Sequence, residues 1–223
     1  MANEIKYSHF GERNKLFDRL AGDITADILS SLELKGTCNI LLSGGSTPKP
    51  VYERIAGALD TLEQIHWGLV DERFVGVESE YSNERMIKEA LGKDADVVGL
   101  VRDLNDRSQN LKKAEEFYES FLFDTDITVL GMGTDGHTAS IFPGDPISEE
   151  LRLNNKVGIE NTSAPNFPKE RITCTPELIC NSRKIYLLIT GEEKLHVLSD
   201  VNLKLPIHDI FKKRQDILVY YAD

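Results

Sequence analysis

Short, unbroken apolar runs alternate along this chain with segments whose apolar residues fall at helical spacing, and that alternation limits the fold more than any other feature. Thr37–Leu42, Ile65–Val70, Ile127–Leu130, Lys184–Thr190 and Asp216–Tyr221 read as strands. Glu12 to Leu34 places Leu16, Leu20, Ile24, Ile28 and Leu32 on one helical face. Pro48–Leu59, Asn83–Leu91, Ser108–Phe123 and a stretch from Glu192 read as further helices, the first with a proline suited to an opening turn. A strand that is apolar on both faces must be covered on both, and parallel strands need crossover helices. The expected fold is therefore α/β, a mostly parallel doubly wound sheet with helices on both faces. We expect it to form one domain over residues 1–223. Pro143–Pro176 carries five prolines and is expected to form long loops with short elements.

Composition narrows the function. The net charge of −11 disfavours electrostatic nucleic-acid binding, which needs clustered Lys and Arg. Three cysteines, Cys38, Cys174 and Cys180, make neither a disulfide framework nor a usual zinc spacing. Their sparse use fits a reducing cytoplasm. The opening MANEIKYSHF lacks the long apolar stretch of a signal peptide, and no later run approaches a membrane span.

In open parallel sheets, ligands bind beyond the carboxyl ends of the strands. Three such ends carry chemistry. After the first, Ser43-Gly44-Gly45-Ser46-Thr47-Pro48 leads into a helix. Its glycines let backbone N–H groups approach an anion, the helix N-terminus adds partial positive charge, and the Ser46 and Thr47 hydroxyls can donate. A plain capped turn would look the same, and no Walker motif follows. After the second comes Asp71-Glu72-Arg73, where an Arg can hold an oxyanion and an Asp can orient a base. In isolation this would be a surface ion pair. The third is Gly131-Met132-Gly133-Thr134-Asp135-Gly136-His137. Here a histidine, the side chain suited to take a proton near neutrality, coincides with glycines, an Asp and a strand end. Either Asp71 or Asp135 can orient His137. Arg171 and Lys194 add two late cations near expected strand ends. His9, His66, His196 and His208 share no spacing and read as structural. No metal-ligand set and no Gly-x-Ser-x-Gly elbow occurs.

Taken together, Ser43–Pro48, Asp71–Arg73, Tyr81-Ser82-Asn83 with Arg85-Met86, Gly131–Ser140 with Phe142-Pro143-Gly144, Arg171–Pro176 and Thr190–Lys194 resemble the 6-phosphogluconolactonase family, which is grouped with the glucosamine-6-phosphate isomerase/deaminases. The deaminase branch typically has Asp-Glu-Tyr where this chain has Asp71-Glu72-Arg73, and a Glu where it has Phe142. Both differences side with the lactonases.

The resemblance implies hydrolysis of 6-phosphogluconolactone in the oxidative pentose phosphate pathway, without metal or organic cofactor. Its partner would be the small sugar-phosphate lactone, with no nucleic acid and no membrane, and the enzyme a monomer or homodimer. Under that reading His137 is the general base and Arg73 with glycine-loop N–H groups meets the oxyanion. The phosphate rests on Gly44, Gly45, Ser46 and Thr47 beneath Arg171 and Lys194. The competing readings are an amino-sugar-phosphate isomerase or deaminase and a non-catalytic sugar-phosphate sensor.

Overall fold

The structure is a computed structural model and describes residues 5–223. The first four residues of the stretch read as lacking a leader lie outside the described residues. The strands are β1 (Tyr7–Phe10), β2 (Cys38–Leu42), β3 (Ile65–Leu69), β4 (Asp71–Arg73), β5 (Asp96–Val98), β6 (Ile127–Leu130), β7 (Ile159–Ser163), β8 (Glu170–Cys174), β9 (Lys184–Thr190) and β10 (Leu218–Ala222). The helices are α1 (Arg13–Lys35), α2 (Lys49–Ala58), α3 (Asn83–Leu91), α4 (Arg107–Phe117), α5 (Glu119–Phe123), α6 (Pro146–Leu153), α7 (Pro176–Cys180), α8 (Glu192–Ser199) and α9 (Pro206–Lys213).

Seven strands form one sheet in the order β1-β10-β9-β6-β2-β3-β5, and every pairing in it is parallel. All five residues of β2 are buried, so both its faces are covered, and α1 and α5 both pack against it. At Gly68 in β3 a side chain would press on Leu41 and the Phe121 ring, so the missing Cβ lets α5 sit close to the sheet. The fold is the α/β architecture expected from the apolar runs.

A second sheet was not expected. Its three strands run antiparallel in the order β4-β8-β7. The switch between sheets occurs at Val70: its N–H still bonds Leu42, while its carbonyl accepts from Cys174 at 2.8 Å. One residue later, Asp71-Glu72-Arg73 has left the parallel sheet for the small one. The proline-rich stretch carries short elements between loops, as expected, and these are α6, β7 and β8. The single helix expected over Ser108–Phe123 breaks at Tyr118 into α4 and α5. Buried Tyr118 turns its hydroxyl to the Leu69 and Val98 carbonyls and accepts from the Leu69 N–H, so the break serves the sheet edge. Buried apolar residues of both sheets form one contiguous cluster.

Candidate active site

β2 ends at Leu42, and the chain turns into α2. The turn is held from two sides: the Tyr52 hydroxyl donates to the Ser43 carbonyl (2.8 Å), and Ser43 Oγ accepts from the Gly131 N–H (3.3 Å). Gly45 has φ 106°, a conformation that L side chains rarely adopt. At Gly44 a Cβ would run into the Asn83 side chain. Among the described residues, the N–H groups of Gly44, Gly45, Ser46 and Thr47 have no protein acceptor. Four free donors at the positive end of a helix suit an anion.

β4 brings in the next charges. Glu72 is buried, and its carboxylate accepts from the N–H groups of Arg73 (2.7 Å), Asn83 (2.8 Å) and Glu84 (2.7 Å) and from Ser82 Oγ (3.0 Å). Burial pushes its carboxyl up to about 7 against the pull of those N–H donors. Its role is to cap α3 and tie that helix to β4. Asn83, at the start of α3, accepts from Arg73 Nη1 (2.6 Å) and donates to the Asp71 carbonyl (2.9 Å). Asp71 takes a 2.5 Å hydrogen bond from Ser140 Oγ.

Arg73 lies directly opposite Arg171 in the β4–β8 register, a placement that repels unless an anion joins it. Arg171 is buried and donates from Nε to the Pro168 carbonyl (2.9 Å). Burial and then the neighbouring Arg73 charge hold its pKa below the ordinary value. Among the described residues no carboxylate forms an ion pair with Arg73, Arg171 or Lys194.

The loop after β6 carries His137. Asp135 Oδ1 accepts from its Nδ1 at 2.5 Å and from its backbone N–H at 3.1 Å. The proton therefore sits on Nδ1, leaving Nε2 as the basic nitrogen. Of the two acids the sequence left open, Asp135 is the one that touches His137. Burial works against the Asp135 carboxylate, but the His137 hydrogen bonds outweigh it and hold its pKa below the ordinary value. A Cβ at Gly133 would strike both the imidazole and Asp135, so the pair forms only because that position is glycine. Ala139 takes φ 52°, an unusual conformation for alanine beside the histidine. Phe142 stacks at 4.6 Å and 34° on the imidazole, and the Arg171 guanidinium lies 5.7 Å from the same ring. Burial lowers the pKa of Lys194 on α8, opposed by Glu193 and Asp135.

These groups share one cavity of about 420 Å³. Every candidate singled out from the sequence lines it: Gly44 to Thr47, Asp71, Arg73, Asp135, His137, Arg171 and Lys194. Arg85 does not; it bonds Glu89 and the Glu78 carbonyl. The sequence reading gave Asn83 no role and missed the wall formed by Ala164, Pro165 and Asn166 between β7 and β8. Nothing in the sequence shows that the Asn83 side chain turns back to an arginine ten residues earlier.

Residues 11–219 match the family described as glucosamine-6-phosphate isomerases/6-phosphogluconolactonase. The chain belongs to this family. Within it, a Thermotoga maritima protein named 6-phosphogluconolactonase is 34% identical over 197 residues, covering 86% of each chain. A Caulobacter vibrioides protein of the same name is 29% identical over 228 residues, covering 98% of each. A crystal structure of a 6-phosphogluconolactonase from Shewanella baltica superposes with a TM-score of 0.91 at 29% identity and covers 100% of both chains. This chain and that structure thus share the fold over their whole lengths. Among the described residues no group of three or more His, Cys, Asp or Glu could hold a metal, and no helix is long and apolar enough to cross a membrane.

Proposed function

We propose that this chain hydrolyses 6-phospho-D-glucono-1,5-lactone to 6-phosphogluconate, the hydrolytic step of the oxidative pentose phosphate pathway, with His137 as general base. The observation that carries the reading is the Asp135–His137 pair in one cavity with unpaired cations and free helix N–H groups. Curated relatives named 6-phosphogluconolactonase support the substrate.

The phosphate sits on the Gly44–Thr47 N–H groups, with Arg171 and Arg73 closing over it. This relieves the repulsion between two opposed guanidiniums and fits a dianion. The lactone ring then lies beside the phosphate with C1 turned toward His137; C1 and C5, the carbon that bears the phosphate arm, flank the ring oxygen. Lys194, on which the Asp135 charge acts, belongs at this reacting end. Nε2 of His137 takes a proton from water as the water oxygen attacks C1. The resulting oxyanion is met by Lys194 and backbone N–H groups, a form of stabilisation that is large where water is excluded. The C1–O5 bond then breaks, and the ring oxygen takes the proton back from Nε2. Asp135 keeps the tautomer correct and balances the transient imidazolium, while Asp71, clamped by Ser140, is placed to accept from a sugar hydroxyl. Binding energy at the phosphate end orients C1 for attack.

The isomerase/deaminase reading meets a specific obstacle. The position where that branch carries Glu is Phe142, which is buried against His137. Incubation with the lactone and separately with glucosamine 6-phosphate tests the choice. Acceleration of lactone opening without ammonia release is expected, and ammonia release without lactone hydrolysis would reverse it.

A further inference from the structure

His208 is a titratable side chain that the reaction does not use. It is 1% exposed, on α9, and each ring nitrogen has a partner. Nδ1 accepts the Leu205 N–H at 3.1 Å. Nε2 faces the Val197 and Leu198 carbonyls of α8, each at 3.1 Å. Those contacts fix the tautomer: the proton is on Nε2, opposite to that of His137.

What Nδ1 holds is the wall behind the His137 loop. Gly136 has φ 74°, and the space where its Cβ would be is filled by the Leu205 side chain. The Ile207 N–H donates to the Gly136 carbonyl at 3.2 Å. Leu205–Ile207 therefore clamps the residue immediately before His137. Lys204, just upstream, takes the left-handed φ of 52°, so the turn holds an unfavourable conformation that some contact must maintain. Through Nε2, the same imidazole anchors the turn to α8, the helix that carries Lys194.

We propose that His208 is a positioning residue for the hydrolytic site, setting His137 from behind by holding the Leu205 turn against Gly136. The proposal rests on the reading of His137 as the base. Small displacements of a base cost large factors in rate, because attack depends on near-contact geometry. A lost Nδ1 contact lets the Leu205 turn relax and His137 drift, while the phosphate end stays in place.

Two near-isosteric variants separate the two nitrogens. In His208→Asn the amide oxygen stands where Nδ1 was and still accepts from Leu205. His208→Gln keeps a donor for the α8 carbonyls and loses that acceptor. The expected result is a kcat lowered about tenfold in His208→Gln with KM within about twofold, and kcat within about threefold of the parent in His208→Asn. Both are read on folded protein, with Tm measured alongside. Unchanged kcat in both variants with only Tm lowered would overturn the proposal, leaving His208 a purely structural residue. A parallel readout is the proton resonance of the Asp135–His137 hydrogen bond. It is expected to move in His208→Gln and stay in His208→Asn, and no movement in either overturns the proposal. If the parent fails to hydrolyse lactone, the functional reading fails separately, and the resonance alone decides the role of His208.

Discussion

Asp135 grips His137 twice, at Nδ1 and at the backbone N–H, so it sets both the tautomer and the direction of the ring. In Asp135→Asn an amide NH2 can donate to Nδ1 and push the proton to Nε2, the wrong nitrogen for a base. A fall in kcat of about 10²–10⁴-fold is expected, checked by initial rates after the spontaneous reaction is subtracted. The same substitution has a stability signature. The folded pKa of Asp135 is depressed, so its contribution is present above the ordinary carboxylate range and is lost as pH falls through the folded value. The Tm gap between parent and Asp135→Asn should accordingly shrink on acidification, as followed by thermal melts across acid pH. Arg171 poses a different residue-level question. Its side chain is buried beside another cation and lacks a carboxylate, an arrangement that costs stability without an anion. Arg171→Ala should weaken substrate binding by about 1.5–3 kcal/mol, read as KM, with kcat much less affected.

At the scale of elements, the site is a meeting of strand ends, and some of those strands were legible while others were not. β2, β3, β6 and β9 are nearly continuous apolar runs, and the charged or glycine-rich residues directly after β2, β3 and β6 marked the right loops. β1 gave no signal, because it is an edge strand with exposed residues and mixed polarity. β5 is only three residues long, too short for any period to register. The small sheet was hidden for another reason. Its strands read Asp-Glu-Arg, Ile-Glu-Asn-Thr-Ser and Glu-Arg-Ile-Thr-Cys, half-polar because one face lines or supports the cavity. Its pairing of Arg73 with Arg171 is a register, and register between distant segments is not written in either segment alone. Gly44 tests the junction of β2, β4 and α3. A methyl there would collide with Asn83, which is held by Arg73 and the Asp71 carbonyl and cannot move freely. Gly44→Ala should lower stability by about 1–3 kcal/mol and raise KM, measured by denaturant melts and steady-state kinetics.

Across the whole molecule, a chain of net charge −11 can take an anionic ligand because three cations without an ion-pair partner and four helix N–H groups converge on one cavity. The positive potential is local, so net charge by itself said little about the ligand beyond disfavouring nucleic acid. A ligand that binds only the folded state stabilises it, by about 2.7 kcal/mol when present at 100 times its Kd. Inorganic phosphate should therefore raise Tm and compete with substrate in the parent and in His137→Ala, and do both only at much higher concentration in Arg171→Ala. Thermal shift over a phosphate titration checks this. A Tm rise in Arg171→Ala at the same phosphate concentrations as in the parent would move the anion away from the opposed arginines.

The most direct test of the central claim is the rate of 6-phosphogluconolactone hydrolysis by the parent and by His137→Ala, each corrected for unaided opening of the lactone. The account requires fast turnover by the parent and a loss of about 10²–10⁴-fold in the variant, with phosphate binding preserved. A variant that keeps full turnover would contradict it, because no other group in the cavity has been placed to take the proton from water.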